Sequence, residues 1–106
     1  MNQQYITIAH VADVPPGTCR SIELEDAAIA LFNIDGKFYA LENTCPHAGG
    51  PLGDGTLDGD IISCPWHGWT FHVPTGQCLK NVSRSWIVPR YEVRIVGEAI
   101  QVFVPR

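Results

Sequence analysis

The sequence predicts an all-β fold, an antiparallel β-sandwich with a small subdomain inserted into it. Three observations predict this. Short runs of β-branched and aromatic residues recur along the chain, two of the gaps between them are two-residue turns, and one central stretch has a different composition. The first run is 5–9, Tyr-Ile-Thr-Ile-Ala, closed by Val14-Pro15-Pro16-Gly17. Residues 19–24 and 27–34 are further β-rich runs. Asp35-Gly36 then makes a tight turn into 37–41, a strong hairpin signal. A second hairpin is expected from 91–96 through a turn at Gly97-Glu98 into 99–104. No stretch carries a helix-long apolar face, apart from a single turn around 10–14.

The stretch from about residue 44 to 81 is rich in Gly, Pro, Cys, His and Trp. Within it, 56–63 and 70–73 read as short strands. The expected division is therefore one domain, with a base formed by 1–43 and 82–106 and the insertion at about 44–81.

Composition narrows the function. The chain has 106 residues, the size of one domain, and 45% hydrophobic against 17% charged residues is the balance of a folded protein. A net charge of -4 opposes nucleic-acid binding, which needs a basic face. The start has no basic stretch followed by an apolar one, and the longest apolar run, 27–32, is far too short for a bilayer. A cytoplasmic protein with no membrane and no nucleic-acid partner is expected. In a reducing compartment the four cysteines favour metal binding over disulfides.

The chemistry sits in Cys45-Pro46-His47 and Cys64-Pro65-Trp66-His67, separated by the sixteen residues 48–63. Each pair sets one soft thiolate two or three residues from an imidazole, so both side chains of a pair can face one side of a loop. Two Cys and two His also suit tetrahedral zinc. Zinc fingers, however, usually group like with like, and here each pair is mixed. A [2Fe–2S] centre with two Cys on one iron and two His on the other takes one of each from each loop.

The surrounding residues, Cys45-Pro46-His47-Ala48-Gly49-Gly50-Pro51-Leu52 and Cys64-Pro65-Trp66-His67-Gly68-Trp69, with Phe71, Thr75-Gly76 and the last hairpin, resemble the Rieske ferredoxin family. The resemblance covers nearly the whole chain. It implies one [2Fe–2S] cluster per chain, with Cys45 and Cys64 on the inner iron and His47 and His67 on the outer iron near the surface. It implies a one-electron carrier, not an enzyme, between a flavin-dependent NAD(P)H reductase and a terminal oxygenase. The small subunit of an assimilatory nitrite reductase, also Rieske-like, is the second reading. A zinc-stabilised interaction module is the third, and it would be colourless.

The same resemblance carries finer expectations. Amides at Gly49, Gly50 and Gly68 are expected to approach the sulfides, because no side chain intervenes. High-potential relatives carry an extra Cys in each ligand loop, tied as a disulfide, and the corresponding places are read as Gly49 and Trp66. Their Ser and Tyr after the second motif correspond to Trp69 and Phe71, which lack those hydroxyls, so a low reduction potential is expected. Trp66 and Trp69 are expected to shield the cluster or face a partner. Cys19 and Cys78 read as free thiols, and His10 and His72 as surface or packing residues. The family's prolines are missing from 81–86, which leaves that loop's course open.

Overall fold

The computed structural model describes residues 4–45, 49–66, 68–79 and 87–104. Among the described residues eleven strands form three antiparallel sheets, as the all-β reading expects. Strands β1 (Gln4–His10), β10 (Val93–Val96) and β11 (Ala99–Val104) form one sheet in the order β1-β11-β10. The second is β2 (Cys19–Glu23), β3 (Ala28–Ile34), β4 (Lys37–Glu42) and β9 (Arg90–Tyr91), in chain order. The third is small: β5 (Thr56–Asp58), β6 (Ile61–Ser63), β7 (Thr70–His72) and β8 (Gln77–Cys78), each paired with the next.

The second sheet is the middle layer, and β3 shows why. Its residues 29–33 are all buried, so the strand is covered on both faces and reads as a continuous apolar run instead of an alternating one. Ala30 and Phe32 pack with Leu41, Leu52, Ile62, Phe71 and Val88 on the side of the small sheet. Ile29 meets Val102 and Val104, and Leu31 meets Val14 and Ile100, on the side of the terminal sheet. Cutting Phe32 or Phe71 back to Ala would cost about 3–5 kcal/mol. Inside this layer the buried Asn33 is fully used: its Nδ2 donates to the Val14 carbonyl at 2.7 Å and its Oδ1 accepts from the Gly36 N–H at 2.8 Å.

Both expected hairpins form. Ile34 pairs with Lys37 across Asp35-Gly36, whose φ values of 55° and 90° are those of a type I′ turn. Val96 pairs with Ala99 across Gly97-Glu98. The expected helical turn is a 3-10 turn at Val11–Asp13.

Two expected strands are each two. Residues 56–63 fold back at Gly59-Asp60, pairing Asp58 with Ile61, because Gly59 at φ 64° supplies a hairpin turn that the β-forming neighbours hide. Residues 91–96 break at Glu92: Tyr91 pairs with Ala40 in the middle sheet, whereas Val93 pairs with Val102 in the terminal one. This switch stitches the two sheets together. The loop at 81–86 lies outside the described residues. Among the described residues no helix is long and apolar enough to cross a membrane.

The switch is held by Tyr91, whose hydroxyl donates to Glu42 Oε1 at 2.9 Å. Burial, and then the Glu42 carboxylate, push the phenol up to about 12. Its folded value lies above the unfolded one, so its contribution to stability is present below about pH 10 and fades as pH rises toward 12. In an alkaline ultraviolet titration of the folded protein, one of the three tyrosines should ionise late. That late step should vanish in Tyr91→Phe, and its persistence would assign it to another tyrosine.

Candidate metal centre

Cys45 and Cys64 are 1% and 3% exposed and belong to the apolar cluster between the middle and small sheets. They stand at the start of two loops built alike. Thr44 pairs with Pro51 and Ser63 with Thr70, so each loop runs between a paired residue just before its cysteine and one six positions after it. Inside the first, Cys45 N–H donates to the Gly50 carbonyl at 2.9 Å, and Gly49 N–H donates back to the Cys45 carbonyl at 2.8 Å. Inside the second, Cys64 N–H donates to the Trp69 carbonyl at 2.7 Å and Gly68 N–H to the Cys64 carbonyl at 3.0 Å. The residue four after each cysteine is a glycine in the left-handed region, Gly49 at φ 79° and Gly68 at φ 72°. A side chain there would strain the backbone that closes the ring.

The amides of Gly49 and Gly68 therefore do a different task from the expected one. They are directed at the cysteine carbonyls and fix the loops. Among the described residues, the Trp66 amide donates to the Cys64 thiol. No side-chain pattern announces a backbone donor, so the sequence carried no signal for it. The pairing of loop positions is also corrected. A Cβ at Gly49 would meet nothing within 4 Å, whereas one at Gly50 would lie 2.9 Å from Trp66 Cγ. Gly50, not Gly49, is the residue opposite Trp66.

The two thiols are neighbours. Desolvation first, and then the hydrogen bond to Cys45 and its charge, push the Cys64 thiol up, against the pull of the Trp66 amide. Two adjacent sulfurs in an apolar setting cannot both ionise unaided, but a cation between them reverses that balance. The donor set thus fits a centre that takes two thiolates on one iron. His47 and His67 lie outside the described residues. Among the described residues no group of three His, Cys, Asp or Glu side chains gathers to hold a metal ion.

The first loop is bolted to the middle layer. The buried Asn43, at the end of β4, takes the Gly53 N–H on its Oδ1 at 2.7 Å, and its carbonyl takes the Leu52 N–H at 3.1 Å. Ser21 on β2 donates to Asp54 Oδ1 at 2.8 Å. Sequence reading missed both residues, since a single Asn or Ser is unmarked until the fold buries it.

The remaining expectations divide. Trp66 is 54% exposed over the second loop, while Trp69 is half-buried and packs into the core. Cys19 is half-buried and Cys78 buried, both as free thiols. His72 bridges Thr75 Oγ1 at 2.8 Å and Asp60 Oδ2 at 3.1 Å, tying the two turns of the small sheet together.

Residues 4–103 match the family model described as the Rieske [2Fe-2S] domain. The chain belongs to the Rieske [2Fe–2S] family. Its cofactor is accordingly the [2Fe–2S] cluster. Ferredoxin CarAc of Metapseudomonas resinovorans is 44% identical over 77 residues, 72% of either chain. A chain in the complex of reduced oxygenase and oxidized ferredoxin of carbazole 1,9a-dioxygenase superposes with a TM-score of 0.86 at 34% identity, over 95% of this chain and 94% of that one. A chain described as the small subunit of an NADH-dependent nitrite reductase from Mycobacterium tuberculosis gives 0.84 at 25% identity, over 100% and 99%.

Asn43→Ala removes the acceptor of the Gly53 amide and should destabilise the protein by about 1–3 kcal/mol. The loss should show as a lower thermal midpoint together with faster bleaching of the Rieske chromophore on warming. An unchanged midpoint would mean that Asn43 does not brace the loop.

Proposed function

We propose that this protein is a one-electron carrier whose Rieske cluster is held by Cys45 and Cys64 on one iron and by His47 and His67 on the other. It would take electrons from a flavin-dependent NAD(P)H reductase and deliver them to a terminal oxygenase, in the cytoplasm. The observation that carries this reading is the pair of buried thiols on twin loops, in a chain 44% identical to a ferredoxin. The loops and the small sheet form the cluster-binding subdomain, about 44–81, on a base of 1–43 and 82–106.

When bound, the cluster supplies a centre whose two ferric ions, two sulfides and two thiolates cancel in formal charge, so one electron leaves it singly negative. The residues of this chain hold the ligands and limit water. The apolar cluster around Phe71, Leu52 and Ile62 excludes solvent from the sulfurs. The backbone rings keep Cys45 and Cys64 in place whichever charge the centre carries. Other related carriers are named ferredoxin components or subunits of dioxygenases, so substrate chemistry belongs to the partner.

The likeness to the nitrite reductase small subunit, over both chains almost entirely, favours a second reading in which the electron acceptor is a nitrite-reducing subunit. Reduced protein mixed with an oxygenase or with a large nitrite reductase subunit separates the two by which one reoxidises it.

Ligation is tested by substitution. Cys45→Ser or Cys64→Ser should abolish the red-brown colour and the rhombic paramagnetic signal of the reduced protein. His47→Ala or His67→Ala should lose or alter both, and Cys19→Ser and Cys78→Ser should leave them intact. Full cluster content in any of the four ligand variants would overturn the assignment.

The reduction potential follows from what surrounds the sulfurs. Rieske centres span about -150 to +300 mV, raised by hydrogen bonds to sulfur. Trp69 contributes its carbonyl to the loop ring and Phe71 is fully buried in the core, so neither brings a hydroxyl to the cluster. A midpoint near the low end, about -150 mV, is expected by voltammetry. A value well above zero would refute the low-potential carrier.

A further inference from the structure

Gly50 of the first ligand loop lies against Trp66 and Cys64 of the second. It is buried, and the nearest heavy atoms to a Cβ built on it are Trp66 Cγ at 2.9 Å, Trp66 Cδ2 at 3.0 Å and Cys64 Sγ at 3.1 Å. Its φ, unlike those of Gly49 and Gly68, is not in the left-handed region. The backbone would therefore accept alanine at 50, and the demand for glycine comes from contact alone. The atoms that press on it are the root of an indole and a ligand sulfur, neither the free end of a flexible chain. Trp66 as a whole is 54% exposed, while Cys64 beside it is 3% exposed.

We propose that Gly50 is a positioning residue whose bare Cα lets the Trp66 indole seat against the first loop, and that this contact latches the two loops together and screens the Cys64 sulfur from water. The inference rests on the reading that these loops hold the cluster. A methyl group at 50 has two ways out. It can push the indole off, which opens the sulfur to solvent, or it can push Cys64 away from its iron. Either loosens the centre. Solvent that reaches the sulfur stabilises the charge added on reduction and so raises the potential. Removing the indole in Trp66→Ala should act in the same direction, because it opens the same contact from its other side.

The test uses holoprotein with three variants, Gly50→Ala, Trp66→Ala and the pair together. The readouts are the rate at which an iron chelator bleaches the visible spectrum and the midpoint potential. Each single variant should bleach roughly tenfold faster, the scale set by overpacking or emptying one tight contact, and each should shift the potential upward. The double variant should be no worse than the more severe single one, since both remove one contact. Unchanged bleaching and potential in Gly50→Ala, or effects that simply add in the double variant, would overturn the latch. If Gly50→Ala does not fold, Trp66→Ala alone decides, and wild-type behaviour there overturns it as well. A wild-type protein without the iron–sulfur spectrum would instead sink the reading on which the latch rests.

Discussion

The apposition of Cys45 and Cys64 in the apolar core is the constraint around which the molecule is arranged. Burial resists ionisation of a thiol, and a second thiol in contact resists it further, as the raised Cys64 shows. The packing of Phe32, Leu41, Leu52, Ile62 and Phe71 that favours folding is the same packing that desolvates the sulfurs. On the proposed ligation, iron would settle the conflict, because it makes two thiolates preferable to two thiols. Fold and cofactor are therefore coupled through one cluster of side chains.

Holding two sulfurs in that position requires that the loops carrying them be tied down. Each loop meets this with its own ring of hydrogen bonds, closed by a left-handed glycine. The rings are then anchored to different layers. The first is tied through Asn43 and Asp54 to β4 and β2, and the second is the continuation of the β6–β7 ladder. The middle sheet keeps both anchors in register, because β3 is packed on both of its faces. Tyr91 and the strand switch at Glu92 then fasten that sheet to the terminal one. A frame supported this way holds the two cysteines in place, which suits the electron transfer proposed above.

The parts of this legible in the sequence are those set by local chemistry. Asp35-Gly36 and Gly97-Glu98 announce their turns because few residues tolerate the backbone they need. The cysteines announce themselves because a mixed Cys and His pair has few uses. What stayed hidden depends on partners far along the chain. Gly59 is masked by β-forming neighbours, and the break at Glu92 lies inside an unbroken β-like run whose two halves simply face different sheets. The likeness of the two loops was concealed in another way. Their histidines stand at different offsets, after Pro46 in one and after Pro65-Trp66 in the other, so the sequence shows two unlike motifs. Only the hydrogen bonds show that the two loops are closed in the same way. The opposition of Gly50 to Trp66, displaced by one residue from the sequence reading, belongs to the same class of information.

That equivalence carries an electrostatic consequence. A loop amide can either close its ring or point at a sulfur, and these uses compete. Gly49 and Gly68 give theirs to the cysteine carbonyls, which fixes geometry and leaves those dipoles unavailable to the charge that reduction adds. Trp66 gives its amide to Cys64 and covers the contact beside it with its indole. The first of these favours the reduced state and the second, by keeping water off, disfavours it. One residue thus acts on the centre in opposite senses through its backbone and its side chain. The side chain is the half that substitution can change, so the seat at Gly50 governs how far water counts in the balance, while the amide's contribution is fixed by the ring that the second loop must close.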